Sequence, residues 1–233
     1  MDSRPSILII GAGFTGCALA HDLSLRGLHV TVLERGEIAS GTSGRTHGLL
    51  HSGARYCVTD PEAAIECIAE NRILSRIAAQ CIEYNGGLFI ALNEQDLAYA
   101  SAFETGAQNT GIPIDRLSPQ QALQQEPNLN PNLLAAYTVP DGSFDPLRLA
   151  LAFAATARFH GATFLTHHEV LSLQSNGQGR IKSLIALNRH TGQQKTLTAD
   201  LIINATGAWA GQIAALIGAS TVVNPPPGIM VAY

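Results

Sequence analysis

The sequence predicts an α/β fold in which a parallel sheet is built on a βαβ unit and followed by a β-hairpin. Three observations predict it: a glycine-rich loop between an apolar strand and a helix, a pair of strands separated by a turn, and an apolar strand ending in small residues. The 233 residues are 46% hydrophobic and 14% charged, which is typical of a chain with a substantial buried core.

The βαβ unit opens the chain. Residues 6–10 (SILII) form a short run rich in β-branched residues, which predicts a strand buried on both faces. A glycine loop follows at 11–16, then a helix that ends near Gly27, and a second strand over 29–34. Strand, loop, helix and strand within about thirty residues indicate a nucleotide-binding unit.

The loop matches GxGxxG, with glycines at 11, 13 and 16. In this motif Gly11 permits the tight turn, Gly13 lets the backbone approach a pyrophosphate, and Gly16 lets helix and strand pack closely. Glu34 ends the second strand, where a carboxylate can accept hydrogen bonds from ribose hydroxyls, and this favours NAD or FAD over NADP. A glycine-rich turn beside a surface glutamate is the alternative interpretation.

Residues 41–56 (GTSGRTHGLLHSGARY) are dense in small, polar and basic groups and contain no acid. Arginines and histidines this close together repel one another unless an anion lies among them. The segment therefore predicts contact with a phosphorylated cofactor and an anionic substrate. The alternatives are that Arg45 and Arg55 are solvated loop charges and that His47 and His51 bond to the backbone.

The middle of the chain changes character. Asp60 and Pro61 predict a helix start, apolar residues then recur at helical spacing, and Asn85 and the glycines after it are expected to stop that helix. The further expectations are a strand at 88–92, a helix near 94–109, a loop-rich stretch at 118–133 and a turn at 141–142.

The last third returns to strands. A second Asp–Pro pair at 145–146 predicts a helix to Gly161, and two strand-like runs flank a turn at 190–193, which predicts a hairpin. Residues 201–209 (LIINATGAW) predict a buried strand that ends in small residues, where a ligand or helix approaches the backbone. A short helix should reach about residue 217, and a strand should begin at 229–233.

Several function classes lack support. The net charge of −4 argues against a nucleic-acid-binding protein. The four cysteines form no CxxC pair, so no metal site is predicted. GxSxG, HExxH and P-loop patterns are absent from the sequence, as are a signal peptide and an apolar run of the ~18 residues that a membrane span needs. We expect a cytoplasmic protein.

Taken together, the segments ILIIGAGFTG, LERGEIASGTSGRTHGLLHSGARYCVTD, ECIAEN, VPDGSFDPLRL and LIINATGAWA resemble the FAD-dependent glycerol-3-phosphate dehydrogenases, most of all the A-subunit of the anaerobic enzyme. The resemblance implies a Rossmann-like FAD-binding domain of the amino-acid-oxidase-like superfamily, combined with an incomplete α+β substrate domain. It also implies oxidation of sn-glycerol 3-phosphate to dihydroxyacetone phosphate, with hydride transfer to flavin N5. Electrons would pass to a quinone through other dehydrogenase subunits at the inner face of the cytoplasmic membrane.

The resemblance also implies a division of the chain. Residues 1–85 and 146–218 would form the FAD-binding domain, and residues 86–145 the first part of the substrate domain. Residues 219–233 would begin a return to the substrate domain, so the chain is expected to be an N-terminal fragment. The alternatives are another FAD-dependent oxidase or dehydrogenase acting on a 2-hydroxy acid or amino acid, and a non-catalytic nucleotide-binding fragment.

The site residues that the resemblance implies fall into two sets. In the substrate set, Arg55 would neutralise the phosphate, His51 would take the proton of the C2 hydroxyl, and Tyr56 would lie near the substrate. The cofactor set is Gly11, Gly13, Phe14, Thr15, Gly16, Glu34, Arg35, Thr42, Ser43, Arg45, His47, Gly48, Val170, Ala205, Thr206 and Gly207.

Overall fold

A computed structural model describes residues 4–176, 179–224 and 228 of the chain. The strands are β1 (Ser6–Ile10), β2 (His29–Leu33), β3 (Leu49–Leu50), β4 (Ile82–Glu83), β5 (Gly87–Ala91), β6 (Asp115–Leu117), β7 (Ala135–Val139), β8 (Gly142–Phe144), β9 (Thr163–Leu165), β10 (His168–Ser175), β11 (Ile181–Asn188), β12 (Gln194–Thr198) and β13 (Leu201–Asn204). The helices are α1 (Phe14–Leu25), α2 (Pro61–Ile77), α3 (Glu94–Thr110), α4 (Pro119–Gln125), α5 (Pro146–Phe159) and α6 (Ala210–Ala215).

The chain forms two compact units. Unit 1 comprises Met1–His47 and Pro146–Tyr233, and unit 2 comprises Gly48–Asp145. Unit 1 contains a parallel sheet in the order β13-β1-β2-β9, which confirms the predicted βαβ start and the Rossmann-like fold. Its second sheet is the antiparallel meander β10-β11-β12, in which β11 and β12 form the predicted hairpin.

The core of unit 1 lies where the parallel sheet meets the meander. Leu8, Ile10 and Leu33 from the parallel sheet pack with Val170 and Leu184 from the meander. Ile9 points to the other face of β1 and is fully buried, and helices α1 and α5 pack against each other. Both faces of β1 are thus covered, as its uninterrupted apolar sequence predicts.

Strand β13 differs from its prediction. We expected a buried strand, but Leu201 is 51% exposed and the strand pairs with β1 alone among the described residues. The apolar run LIIN therefore lies at the edge of the parallel sheet, where sequence pattern does not distinguish an edge strand from a central one.

Unit 2 contains two antiparallel sheets, in the orders β3-β8-β4 and β5-β7-β6. Its main core joins α2, α3 and β7 through Ile68, Phe103, Tyr137 and their neighbours. Helix α2 begins as predicted, because the Asp60 side chain accepts a hydrogen bond from the Ala63 amide and Pro61 occupies the first turn.

Two expectations in unit 2 are wrong. Helix α2 ends at Ile77 rather than near Asn85, because the chain leaves the helix at Ala78 and turns into β4, which pairs with β8. The segment expected to be loop-rich contains α4, whose start is a capping box formed by Ser118 and Gln121. The strand predicted at 229–233 lies outside the described residues.

The division into units shares one boundary with the predicted domains, at 145–146. Residues 48–85, which we assigned to the first domain, are grouped with 86–145, because α2 packs on α3 and β4 pairs with β8. The division of labour between cofactor and substrate domains stays a prediction. In the described part of the chain, no helix has the length and apolar character needed to cross a membrane.

Candidate functional site

The glycine loop follows β1 and is hydrogen-bonded to the end of β2. The Gly11 amide donates a hydrogen bond to the Leu33 carbonyl oxygen at 2.7 Å. Gly16, in the first turn of α1, lies against this loop, and a Cβ atom there would be 1.9 Å from the Gly11 carbonyl oxygen. Only glycine allows α1 to start so close to the glycine loop, so the role of Gly16 is to permit this close packing and not to contact a ligand.

The N-terminus of α1 carries no negative charge of its own. Its cap is Gly13, and its first turn contains no acidic residue. Ser43, in a 3-10 turn at Thr42–Arg45, places its Oγ 3.0 Å from the Phe14 amide nitrogen and accepts its hydrogen bond. A neutral hydroxyl leaves the partial positive charge of the helix end available to an anion.

Glu34 is fixed by backbone groups at the end of β2. Its Oε2 accepts a hydrogen bond from the Ala12 amide at 2.9 Å, and its Oε1 accepts one from the Gly36 amide at 2.8 Å. A carboxylate offers about four acceptor positions, so Glu34 retains capacity for further donors. Its predicted contact with ribose hydroxyls stays a prediction.

A cleft of about 710 Å³ opens in unit 1, within the range of about 300–1,000 Å³ typical of small-molecule sites. Ile10 and Leu33, the last residues of β1 and β2, line it, so it lies at the carboxyl ends of parallel strands. This is where ligands bind in open α/β sheets. The predicted cofactor residues that line the cleft are Gly11, Gly13, Phe14, Thr15, Glu34, Arg35, Thr42, Ser43, Arg45, Val170, Ala205, Thr206 and Gly207.

Two predicted cofactor residues lie at the chain boundary between the units and do not line this cleft. His47 is the last residue of the first segment of unit 1 and is exposed. Gly48 begins unit 2, where its carbonyl oxygen accepts a hydrogen bond from the Phe144 amide. Their contact with a cofactor stays a prediction.

The predicted substrate residues belong to unit 2. His51 follows β3 directly, and its side chain is 43% exposed. Arg55 and Tyr56 lie in a 3-10 turn at Ala54–Tyr56, and both are exposed. Among the described residues, Arg55 makes no hydrogen bond or ion pair, so its guanidinium is available to an anionic ligand.

The family model described as FAD dependent oxidoreductase (DAO) matches residues 6–233. The chain belongs to the FAD-dependent oxidoreductase family. This finding confirms the fold class that the sequence motifs predict and the cofactor, FAD, that the resemblance implies.

Individual relatives of this FAD-dependent oxidoreductase support the resemblance. The A-subunit of anaerobic glycerol-3-phosphate dehydrogenase from Escherichia coli (strain K12) is 48% identical over 91% of the chain and 39% of that protein. The A1-subunit of the corresponding enzyme of Haloferax volcanii is 43% identical over 99% of the chain and 41% of that protein. The chain thus spans about 40% of the length of these relatives.

Solved structures show the same fold. L-proline dehydrogenase from P. horikoshii superposes with a TM-score of 0.82 at 25% identity, covering 96% of the chain and 58% of the other protein. The likeness extends over nearly the whole length of the FAD-dependent oxidoreductase chain.

The residues of the cleft fit FAD. The amides at the start of α1 suit a pyrophosphate, and the fixed carboxylate of Glu34 suits a ribose. Gly13 keeps the passage between α1 and the 42–45 turn open, since a Cβ atom there would lie 3.0 Å from Ser43 Oγ. In this FAD-dependent oxidoreductase, Gly13, Phe14, Ser43 and Glu34 would hold the cofactor.

Sequence reasoning missed several residues that line the cleft, including Trp209, Glu169, Arg189 and Gln212. The Arg35 guanidinium lies 4.6 Å from the centroid of the Trp209 ring, a cation–π contact. An aromatic residue directly after a strand end of small residues was a usable signal for Trp209. Arg189 has no local signal, because only the hairpin brings it beside Arg35, whose carbonyl oxygen accepts a bond from Arg189 Nη1 at 3.4 Å.

The cysteines play no visible chemical part. Cys17, Cys57 and Cys81 are buried, and none of the four cysteines forms a disulfide in the described part of the chain. Burial raises the pKa of Cys17 to about 12, and the nearby Glu34 carboxylate contributes to this rise. A thiol that ionises only at such a high pH is not a nucleophile.

Among the described residues, no group of three His, Cys, Asp or Glu side chains could hold a metal ion.

Proposed function

We propose that the protein is the FAD-binding part of a glycerol-3-phosphate dehydrogenase, which oxidises sn-glycerol 3-phosphate to dihydroxyacetone phosphate. The observation that carries the proposal is the 48% identity, over 91% of the chain, to the A-subunit of the anaerobic glycerol-3-phosphate dehydrogenase of Escherichia coli. The cleft at the carboxyl ends of β1 and β2 supports it, because its polar groups suit a dinucleotide. When bound, FAD supplies the hydride acceptor.

The substrate residues have distinct tasks in this proposal. Arg55 pairs with the substrate phosphate, and Tyr56 contributes a phenol hydroxyl beside it. His51 accepts the proton of the C2 hydroxyl, because a neutral imidazole has a nitrogen lone pair that can act as a general base. The exposure of all three side chains in unit 2 is compatible with contact to a small molecule.

The proposal also covers the partner subunits and the cellular location of the protein. Other dehydrogenase subunits pass the electrons to a quinone in anaerobic respiration on glycerol, and they hold the otherwise cytoplasmic protein at the inner face of the cytoplasmic membrane. The support is the name of the Escherichia coli relative, which describes it as one subunit of an anaerobic enzyme.

A second candidate is an FAD-dependent enzyme that oxidises an amino acid or a 2-hydroxy acid. The superposition on L-proline dehydrogenase, with its TM-score of 0.82, favours this candidate. The two differ in substrate charge, because a phosphate dianion needs cationic partners and a zwitterionic amino acid needs partners of both signs.

The experiment is to purify the natural gene product that contains these residues and record its flavin absorbance. Reduction of an artificial dye should then be followed with sn-glycerol 3-phosphate, glycerol, L-proline and glycine. We expect a yellow protein that reduces the dye with sn-glycerol 3-phosphate. Turnover of L-proline or glycine instead would establish the second candidate.

Arg55→Ala tests the phosphate contact. Loss of a charge-assisted hydrogen bond costs about 1.5–3 kcal/mol, which corresponds to a rise in KM for sn-glycerol 3-phosphate of about 10- to 100-fold. Flavin content and thermal stability should not change, since Arg55 has no partner among the described residues. Arg76→Ala, which removes another arginine of unit 2, is the control, and an unchanged KM in Arg55→Ala would contradict the assignment.

A further inference from the structure

His51 lies beside a carboxylate from a distant part of unit 2. Residue 51 follows β3 and residue 141 precedes β8, and these strands pair antiparallel with Leu50 opposite Gly142. The register therefore brings His51 and Asp141 face to face. His51 Nδ1 lies 3.5 Å from Asp141 Oδ2, the distance of an ion pair.

The Asp141 carboxylate is held in a single orientation. Its Oδ1 accepts hydrogen bonds from the Ser52 amide at 2.7 Å and from the Ser52 hydroxyl at 2.5 Å. Ser52 is fully buried, and the Asp141 side chain is only 15% exposed. Because Oδ1 is committed to Ser52, Oδ2 is the oxygen presented to the imidazole.

Helix α2 holds both backbone segments in place through Asn71. This buried side chain donates from Nδ2 towards the carbonyl oxygens of Leu50 and His51 at 3.4 Å and of Pro140 at 3.3 Å. One amide group thus ties the backbone before Asp141 to the backbone of His51. A buried polar group shared between two segments is the kind of support that fixes the geometry of a site.

We propose that Asp141 is the positioning residue for His51, and this inference rests on the proposed function, in which His51 is the base. Asp141 Oδ2 accepts the Nδ1 proton, so the lone pair of the neutral ring lies on Nε2. When the substrate is oxidised, its C2 O–H bond breaks and an Nε2–H bond forms, while the C2 hydrogen leaves with two electrons to the FAD. The carboxylate stabilises the imidazolium that results.

The distance is consistent with this role. At 3.5 Å the contact is longer than an optimal hydrogen bond of about 2.9 Å. Hydrogen bonds of catalytic groups are often long without substrate and shorten in the complex. The anchored carboxylate determines which ring nitrogen is protonated, and the exposed part of the ring remains accessible to a ligand.

Asp141→Asn tests the proposal without substrate. The Ser52 amide can only donate, so it keeps the Asn oxygen on its side and turns the Asn NH₂ group towards His51. A donor at this place moves the ring proton from Nδ1 to Nε2. Nitrogen NMR of the histidine-labelled protein should show the Nδ1–H tautomer of His51 in the parent and the Nε2–H tautomer in the variant, with His51→Gln identifying the signal.

Kinetics provide the second measurement. In the natural gene product, Asp141→Asn should lower kcat for sn-glycerol 3-phosphate about 10- to 100-fold, a part of the 10²–10⁴-fold that general base catalysis contributes. KM and bound flavin should change little. Asp115→Asn, the same substitution on the exposed strand β6, should leave kcat unchanged.

A double-mutant cycle separates positioning from a general structural effect. In a His51→Ala background, Asp141→Asn should cause no further loss of kcat, because its effect passes through the imidazole. An equal loss in both backgrounds, or an unchanged tautomer, would overturn the proposal. If the parent protein does not oxidise sn-glycerol 3-phosphate, the proposed function fails, while the tautomer measurement still decides the role of Asp141.

Discussion

At the scale of single residues, the structure shows which basic side chains of the stretch 41–56 have partners within the protein. The Arg45 guanidinium donates to the carbonyl oxygens of Ser40 and Gly41 at 2.5 and 2.9 Å. His51 has an acid beside it, because the fold brings Asp141 within 3.5 Å. The expected need for an anion therefore applies best to Arg55, which has no partner among the described residues.

Gly53 shapes the turn that carries Arg55 and Tyr56. Its φ is +88°, and a Cβ atom there would lie 2.6 Å from the Ala64 carbonyl oxygen of α2. Gly53→Ala should lower the free energy of unfolding by about 2–4 kcal/mol, from backbone strain of about 1–2 kcal/mol and steric overlap of about 1–3 kcal/mol. Chemical denaturation measures this loss.

Gly111→Ala is the matched control for Gly53→Ala. Gly111 ends α3 with φ +70°, but a Cβ atom there meets nothing within 4 Å. Gly111→Ala should lower the free energy of unfolding only by the backbone strain of about 1–2 kcal/mol. Equal losses in the two variants would show that the contact with α2 does not constrain the turn.

At the scale of elements, the N-terminus of α1 is the part of unit 1 best suited to an anion. The Ser43 hydroxyl is the side-chain acceptor at the Phe14 amide. The helix therefore begins at the cleft with its positive end only partly satisfied. A residue that neutralises this end should stabilise the helix and exclude a phosphate.

Ser43→Asp tests the N-terminus of α1, because it should raise the stability of the protein without FAD and lower its affinity for FAD. A carboxylate at the start of α1 should stabilise the protein without FAD by about 0.3–1 kcal/mol. It should weaken FAD binding by more than about 100-fold, since two charges 4 Å apart repel by about 4 kcal/mol at an effective dielectric constant of about 20. Thermal unfolding and flavin titration of the natural gene product give the two values.

The control for Ser43→Asp adds the same charge elsewhere. Gln194→Glu, on the exposed strand β12, should change neither property. Undiminished FAD affinity in Ser43→Asp would show that the pyrophosphate does not lie at this helix end.

At the scale of the whole molecule, length is the main consideration. The chain spans 39% and 41% of the two glycerol-3-phosphate dehydrogenase relatives. Within the described part of unit 1, β13 is an edge strand with Leu201 51% exposed. Parallel sheets are normally covered on both faces, and exposed edges tend to associate.

We predict that a product of the relatives' length oxidises sn-glycerol 3-phosphate and that the 233-residue chain alone does not. The physical reason is that affinity for a long cofactor and a substrate depends on the number of contacts made, and the chain spans only 39% and 41% of these relatives. Flavin absorbance and dye reduction should be compared, with circular dichroism showing that both proteins are folded. Equal activity would contradict the prediction, and a folded but colourless pair would favour a non-catalytic nucleotide-binding protein.

Much of unit 1 could be predicted because its signals are local. GxGxxG lies between a buried strand and a helix, and Glu34 follows the next strand, so sequence distance alone places them at one sheet edge. The start of α2 could be predicted in the same way, since the N-cap residue Asp60 accepts a hydrogen bond from an amide only three residues further along the chain. The short helix α4 has the same kind of local signal, because Ser118 and Gln121 form its capping box, although the composition of this segment predicted a loop.

The amino-acid sequence by itself determined the nucleotide fold and the placement of the glycine loop beside Glu34, because these depend on neighbours in the chain. The cofactor FAD and the other predicted residues that line the cleft followed from the resemblance to a known family. Only the tertiary structure decided that Asp141 faces His51, that Arg189 joins the cleft and that β13 lies at an edge. Ser52 and Asp141 are 89 positions apart. Their contact follows from how β3 and β8 pair, and strand register is set by the packing of the whole sheet rather than by either segment.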